Sequence, residues 1–351
     1  MKAAVLASYK QFEWTEVPAP SCGDSQVLIK VSYAGICGSD LHVYQGEFHP
    51  RTPVPFIPGH EFAGTVAQAG KEVSGLNPGD LVVADPIVWC GHCAACQLEH
   101  YPACTSLKLV GIDFDGGFAE YVLVEERQVY KIPAGIDPRH AALIEVLAIG
   151  FHACGRAGLR PGDSLAIWGG GRVGQCILQA ARTMTDAPIY LVDIDDVRLQ
   201  KAAENYQDLI PVNALQKNAA QVILEKTNQR GVDVAFEAVG HAQGVEETGE
   251  PVLGCNACLR PAGTICVLGL SDQAVPVVFK DMIWKEAKLV TSRVSHGEFA
   301  NVIEALQAGT LQPEALISDV VPAAQTQAAF ESLLQNPQAH LKILLDFTTG
   351  G

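Results

Sequence analysis

SLAIWGGGRVGQCILQAARTM, residues 164–184, reads as a strand, a glycine-rich turn and an amphipathic helix in immediate succession. SLAIWG is a short apolar run, and after it the apolar positions change period. Val173, Cys176, Ile177, Ala180, Ala181 and Met184 fall at i, i+3, i+4, i+7, i+8 and i+11, one stripe that a helix lays against a sheet. Cys176 and Met184 are therefore read as core. Between strand and helix, Gly169, Gly171 and Gly174 stand in G-x-G-x-x-G. Glycine there serves a tight turn, close approach of backbone to a pyrophosphate and helix–strand contact, while the helix N-terminus offers N–H groups and the positive end of its dipole. Arg172 and Val173 of the same turn are counted among the cofactor contacts. Asp193 closes the next strand, PIYLVDI, nineteen residues after Gly174, where a carboxylate accepts from the adenosine ribose hydroxyls. The competing reading is a glycine-rich turn with no ligand, and the strand–turn–helix context weighs against it.

Charge decides between the two nicotinamide dinucleotides. A 2′-phosphate beside Asp193, with Asp195 and Asp196 following, meets carboxylate repulsion, so NAD is expected over NADP. Arg198 runs the other way, since a guanidinium pairs with a phosphate; a solvent-exposed helix residue or a ribose contact is its alternative.

The strand–helix rhythm continues downstream through VDVAFEAVG and TICVLGL, which points to a parallel sheet with crossover helices and an α/β class. Upstream the pattern differs. To about residue 148 the chain reads as short strands and turns, among them QVLIKVSY, GHEFAGTVAQAG and LVVAD after the turn NPGD. Beyond about residue 291 come the helical segments FANVIEALQAG and AAFESLLQN and a last strand, KILLDF.

In WCGHCAACQLEHYPAC, Cys90, Cys93, Cys96 and Cys104 are spaced C-x2-C-x2-C-x7-C on turn-rich backbone. Zn2+ takes four thiolates at about 2.3 Å in a tetrahedron, so this is read as a closed structural zinc site. Two disulfides, four unrelated buried thiols or an iron–sulfur cluster are the alternatives, and nothing else in the chain points to electron transfer. Three further segments carry candidate ligands: Cys37 in GICGSDLH, His60 and Glu61 in PGHEFAG, and Glu145 in ALIEVLAIG. A catalytic zinc takes three protein ligands and keeps one position open, so Cys37, His60 and one carboxylate form a set, with Glu61 and Glu145 both eligible. Cys255 and Cys258, in GCNACLRPAG, are either a redox pair or two buried helical thiols.

A chain of 351 residues, 48% hydrophobic and 18% charged, has enough material for two domains with their own cores. Its formal charge of −15 argues against nucleic acid, which calls for clustered Lys and Arg. No apolar run approaches the ~18 residues of a spanning helix, and the N-terminus lacks the features of a signal peptide, so no membrane partner and a cytoplasmic location are expected. An odd count of eleven cysteines without a secretory signal fits metal ligation and free thiols in a reducing compartment.

GHEFAGTVAQAGKEV, CGSDLH, the four-cysteine loop, DGGFAEY, ALIE and GGGRVG stand in the order found in the zinc-dependent medium-chain dehydrogenases, which the chain resembles over essentially its whole length. Within that alcohol dehydrogenase superfamily it is most similar to the polyol (sorbitol) and threonine dehydrogenase branch, because Glu145 stands where the alcohol dehydrogenases proper carry a cysteine. The resemblance implies a GroES-like β-rich catalytic domain of residues 1–148 and 291–351, with a structural zinc lobe at 89–105. A Rossmann domain of residues 149–290 would lie between these segments, with the active site in the cleft. It implies catalytic zinc on Cys37, His60 and Glu61 or Glu145, and a proton relay from Ser39 through the cofactor ribose to His42. Turn hydrogen bonding is the alternative role for Ser39 and His42. It also implies Lys342 near the cofactor pyrophosphate, Arg293 toward the substrate, and a homotetramer or homodimer. The expected reaction moves a hydride between NAD and the CH–OH group of a small polar alcohol: a polyol, sugar acid or amino alcohol. A primary alcohol or formaldehyde-type dehydrogenase, and a non-catalytic NAD-binding regulatory protein, are the alternatives.

Overall fold

The computed structural model describes residues 1–240, 250–271, 274–275 and 277–349. The chain divides into two compact units, one of Met1–Val146, Phe299–Ala308 and the chain from Leu316, the other of Leu147–Glu298 and Gly309–Ala315. Among the described residues no helix is long and apolar enough to cross a membrane.

The second unit is built on a six-stranded sheet in the spatial order Leu209–Asn213, Ile189–Asp193, Leu165–Trp168, Val232–Glu237, Leu259–Val267, Lys288–Thr291. Every neighbouring pair is parallel, so the strand order runs outward in both directions from Leu165–Trp168, the arrangement of a doubly wound sheet. Continuous apolar runs such as LAIW, buried at every residue, are what a sheet covered on both faces requires. The helix after the glycine turn spans Arg172–Arg182 and is buried more widely than one stripe. Gln175 and Gln179 also lie inside, Gln175 Nε2 donating to Gly170 O at 3.2 Å and Gln179 Nε2 to Gln312 O at 3.0 Å. Met184 falls beyond the helix end and is only half-buried. Cys255 and Cys258 sit in the helix Pro251–Cys258 with no exposed surface. Burial pushes the Cys258 thiol up to about 12, so the core reading of the pair is the one that the structure supports.

The first unit is dominated by a seven-stranded sheet. Its longest strand, Gln26–Gly35, pairs antiparallel with Glu61–Ala69, Tyr121–Glu125 and Lys342–Asp346. The tail is held by aromatic packing: Phe330 lies 4.7 Å from Phe12 and 5.2 Å from Tyr44 between ring centroids. Such ring pairs contribute about 0.5–1.5 kcal/mol each beyond simple burial. This unit is not made of strands alone, as its pattern suggests. The helix Gly38–Gln45 follows the long strand, and GSDLHVYQ carries no apolar stripe because one of its three buried residues is Asp40.

Candidate active site

Gly35 ends the long strand opposite Glu61, and a Cβ on Gly35 would overlap the Glu61 carboxylate. The missing side chain leaves room for a buried charge. Cys37 caps the helix Gly38–Gln45, its N–H donating to Asp40 Oδ2 at 2.8 Å. His60 and Glu61 enter from the start of the neighbouring strand, and the ligand atoms of Cys37, His60 and Glu61 all lie within 4.8 Å of one another. A tetrahedral zinc site needs donors that converge in this way, with only a small closure to reach bonding distance.

The surroundings of the three residues are polar, with His60 and Glu61 buried and Cys37 part-buried. His60 Nδ1 faces Asp40 Oδ1 at 3.4 Å, and Nε2 lies 3.3 Å from Ser39 Oγ. Asp40, which the sequence reading passed over, is fully buried. Glu145, at the start of the helix Ile144–Ala157, is 4% exposed, and its Oε2 has no hydrogen-bond partner. Lys342 Nζ reaches both oxygens of Glu61, at 2.7 and 2.6 Å, and Ile36 O at 3.3 Å. Lys342, the residue that the resemblance sets near a pyrophosphate, is buried to 1% exposure against Glu61. Placing one of the chain's cations here compensates a carboxylate that would otherwise be costly to bury.

Charge is shared accordingly. Burial and the Glu61 carboxylate push the Cys37 thiol up, but the His60 imidazole and Lys342 outweigh them and hold it below the ordinary thiol value. Burial opposes protonation of His60, yet Asp40 and Cys37 raise it well above the usual imidazole range. Burial raises Glu61, and Lys342 and His60 overcome this to hold it low. At Glu145 the balance falls the other way: burial, with the Glu61 and Cys37 charges added, outweighs the lowering by His60 and Lys342 and drives its carboxyl well above the ordinary value. The four groups are therefore one electrostatic cluster. His42 stands apart from it, half-exposed, with Nδ1 2.5 Å from Glu47 Oε2 and its ring stacked on Phe48. Arg293 lies exposed just past the strand Lys288–Thr291 of the other unit.

The four-cysteine loop forms a second cluster. The sulfurs of Cys90, Cys93, Cys96 and Cys104 lie within 4.8 Å of one another and none is in a disulfide. Cys93 Sγ is 3.5 Å from Cys96 Sγ, and Cys90 N–H points at Cys104 Sγ at 3.4 Å. Backbone N–H groups of Cys96 and Thr105 lower the Cys93 thiol to about 5, whereas burial and the neighbouring Cys93 raise Cys96 to about 12. Four sulfurs aimed at one point, one already thiolate-prone, suit a tetrahedral metal and not a pair of disulfides.

In the other unit the glycine turn has the shape that its pattern predicts. Gly169 holds φ +106°, and a Cβ on Gly174 would overlap Gly169 O. Gly171 caps the helix, and a Cβ there would meet nothing within 4 Å. The absent side chain leaves an open cradle at the helix N-terminus, which fits a pyrophosphate. Asp193 Oδ2 accepts from Gly170 N–H at 2.5 Å, and Oδ1 accepts from Ile194 and Asp195 at 2.8 and 2.9 Å. Asp195 caps the next helix through Val197 N–H at 2.8 Å, and Asp196 is engaged by Asn213 and Gln216. Arg198 lies 3.8 Å from Asp193 and 3.9 Å from Asp195.

Residues 23–134 match the family model of the alcohol dehydrogenase GroES-like domain, and residues 173–308 that of the zinc-binding dehydrogenases. The 2-dehydro-3-deoxy-L-galactonate 5-dehydrogenase of Pseudoalteromonas atlantica is 32% identical over 347 residues, 99% of this chain and 98% of that protein. The sorbitol dehydrogenase of Bacillus subtilis is 33% identical over 349 residues, 98% of this chain and 97% of its own. Among solved structures, the short chain alcohol dehydrogenase rspB of E. coli CFT073, complexed with NADH, gives a TM-score of 0.89 at 29% identity over 99% of both chains. A zinc-binding dehydrogenase of Sinorhizobium meliloti 1021 bound to NADP gives 0.88 at 29% identity over 98% of both.

Proposed function

This chain belongs to the zinc-dependent medium-chain alcohol dehydrogenase superfamily, on its polyol and threonine dehydrogenase branch, and from that premise we propose that it oxidises small polar secondary alcohols with NAD. The coarse activity, that of an alcohol dehydrogenase-type oxidoreductase, comes with the family. The finer reading is supported by relatives that act on a polyol and on sugar acids.

Cys37 and His60, with Glu61 or Glu145, would hold the catalytic zinc, and Cys90, Cys93, Cys96 and Cys104 the structural one. Bound zinc supplies Lewis-acid polarisation of an alcohol oxygen and bound NAD accepts a hydride. The chain's own residues do the rest. Asp40 faces His60 Nδ1 and so turns Nε2 toward the metal position, as carboxylates behind metal-ligating histidines do. Ser39, beside that nitrogen, takes the alcohol proton, and His42, exposed beside Glu47, releases one to solvent. Gly171 leaves the pyrophosphate its place and Asp193 the adenosine ribose. NAD is favoured over NADP because Asp193 stands at the ribose position and Arg198 is already drawn toward Asp193 and Asp195; the rspB structure with NADH supports this choice, and the Sinorhizobium structure with NADP shows that the fold also accommodates the phosphate. A homodimer or homotetramer working in the cytoplasm completes the proposal, supported by Phe279, Ile283 and Trp284, which are 66%, 71% and 78% exposed next to an edge strand.

The observation that carries the proposal is the convergence of Cys37, His60 and Glu61 within 4.8 Å in a buried pocket of charge. The test is an NADH-absorbance screen over polyols, sugar acids, amino alcohols and simple alcohols, with metal measured on the same sample. Turnover on the polar alcohols with two zinc ions per chain is expected. Metal-free protein of undiminished activity would overturn it.

A further inference from the structure

The strand Val232–Glu237 is the neighbour of Leu165–Trp168 on the side away from Ile189–Asp193, across the point where strand order reverses. Ligands of doubly wound sheets lie along the carboxyl ends of the strands at that point. With the adenosine half directed toward Asp193, the second nucleoside falls over the carboxyl ends of Val232–Glu237 and Leu259–Val267. A carboxylate organises both of those ends.

Glu237 is 5% exposed. Its Oε1 accepts from the N–H groups of Val239 and Gly240, each at 2.8 Å. Its backbone carbonyl accepts from Leu268 at 2.8 Å and Gly269 at 3.2 Å. Oε2 faces Gly269 so closely that any Cβ there would overlap it. Gly240 holds φ +66°, and a Cβ on it would lie 2.6 Å from Leu270 O, so the turns 238–240 and 268–270 rest backbone on backbone. Burying a carboxylate is costly, and an apolar side chain would complete the sheet equally well. What the carboxylate adds is a fixed direction for two N–H groups, and with them for the peptide faces that the turn presents outward.

We propose that Glu237 is a positioning residue for the nicotinamide half of the dinucleotide, holding the turns 238–240 and 268–270 in the arrangement that receives it; this rests on the dinucleotide reading above. The test compares Glu237→Gln with the unmodified full-length, zinc-loaded protein by titration calorimetry with NADH and with ADP-ribose, which lacks the nicotinamide. The amide keeps the size and one acceptor but turns an N–H group toward the crowded Gly269 side. NADH binding is expected to weaken about tenfold, the scale of one lost charged hydrogen bond, with ADP-ribose binding unchanged at a temperature where the variant is fully folded. Unchanged NADH binding, or equal weakening of both ligands, would overturn the proposal. If the Gln variant does not fold, Glu237→Asp keeps the charge but not the reach to Gly240, and the same selective loss is expected of it. Failure of the unmodified protein to bind either ligand would sink the dinucleotide reading and this inference with it, an outcome distinct from a failure at Glu237 alone.

Discussion

Lys342 and Glu61, separated by 281 positions in the chain, meet as a fully sealed ion pair in which one ammonium spans both carboxylate oxygens at 2.6 and 2.7 Å. Removing one member of such a pair strands the other charge. Lys342→Met is therefore expected to destabilise the unit that contains it by about 3–5 kcal/mol, read from its denaturant midpoint. A loss under about 1 kcal/mol would show that the pair is not buried in solution.

Asp40 makes a different prediction, because it touches His60 and not the metal position itself. Asp40→Asn keeps the volume but removes the charge behind the imidazole. Zinc affinity at the catalytic position should fall about 10–100-fold, and elemental analysis after mild chelation should find one zinc per chain where the unmodified protein keeps two. Equal retention of both ions would remove Asp40 from this role.

Cys104→Ser should act through folding. A structural metal contributes directly to stability, so soluble yield and melting temperature should drop while the Michaelis constant of whatever enzyme survives stays the same. An unaltered melting temperature would count against zinc in the four-cysteine loop.

Gly171→Ala separates shape from stability. Its Cβ enters open space and costs the helix cap no more than about 1 kcal/mol, yet it stands where a pyrophosphate would lie. NADH binding should weaken with the melting temperature nearly unmoved. Unimpaired binding would place the dinucleotide elsewhere.

Acid stability should depend on Asp233. Burial raises this carboxyl, but Arg260, Ser164 and Arg230 together bring it below the ordinary aspartate value. Arg260 Nε, Arg230 Nη2 and Ser164 Oγ lie 2.5, 2.7 and 2.7 Å from its oxygens. The folded chain thus holds this site deprotonated at a pH where the unfolded chain has begun to protonate it. Its stabilisation is complete above about pH 4, the unfolded aspartate value, and fades as pH falls through the lower folded one. Asp233→Asn should cost about 1–3 kcal/mol at neutral pH and flatten the acid limb of a stability profile; an unchanged acid limb would show that other carboxylates set it.

Much of this was legible in the chain because the signals are local. The glycine turn, the strand runs and the four-cysteine spacing each fix geometry within about a dozen residues, and the structure has them in those places. Cys37, His60 and Glu61 could be nominated because a catalytic zinc takes three ligands of these types and because the short motifs that carry them, GICGSDLH and PGHEFAG, resemble those of a known family. What the sequence hides is tertiary. Asp40 matters because a helix cap turns its second oxygen toward a histidine twenty residues away, and GSDLHVYQ shows no periodicity that would announce a helix. Nothing local to Lys342 announces Glu61 as its partner; the strand pairing of Lys342–Asp346 with Gln26–Gly35 brings the two together.

Two sets of cysteines meet opposite fates under oxidative stress. Cys154, Cys255, Cys258 and Cys266 have no exposed surface, and burial holds all four thiols far from ionisation, with Cys258 and Cys266 at about 12. Peroxide attacks the thiolate, so these are spared, while Cys93, at about 5, with Cys90 and Cys37, whose thiols are also held below the ordinary value, are the vulnerable ones whenever metal is scarce. Damage would therefore begin at these three and leave the parallel sheet intact, so that protein ageing in the cell without zinc should fail first at the two cysteine-bearing clusters.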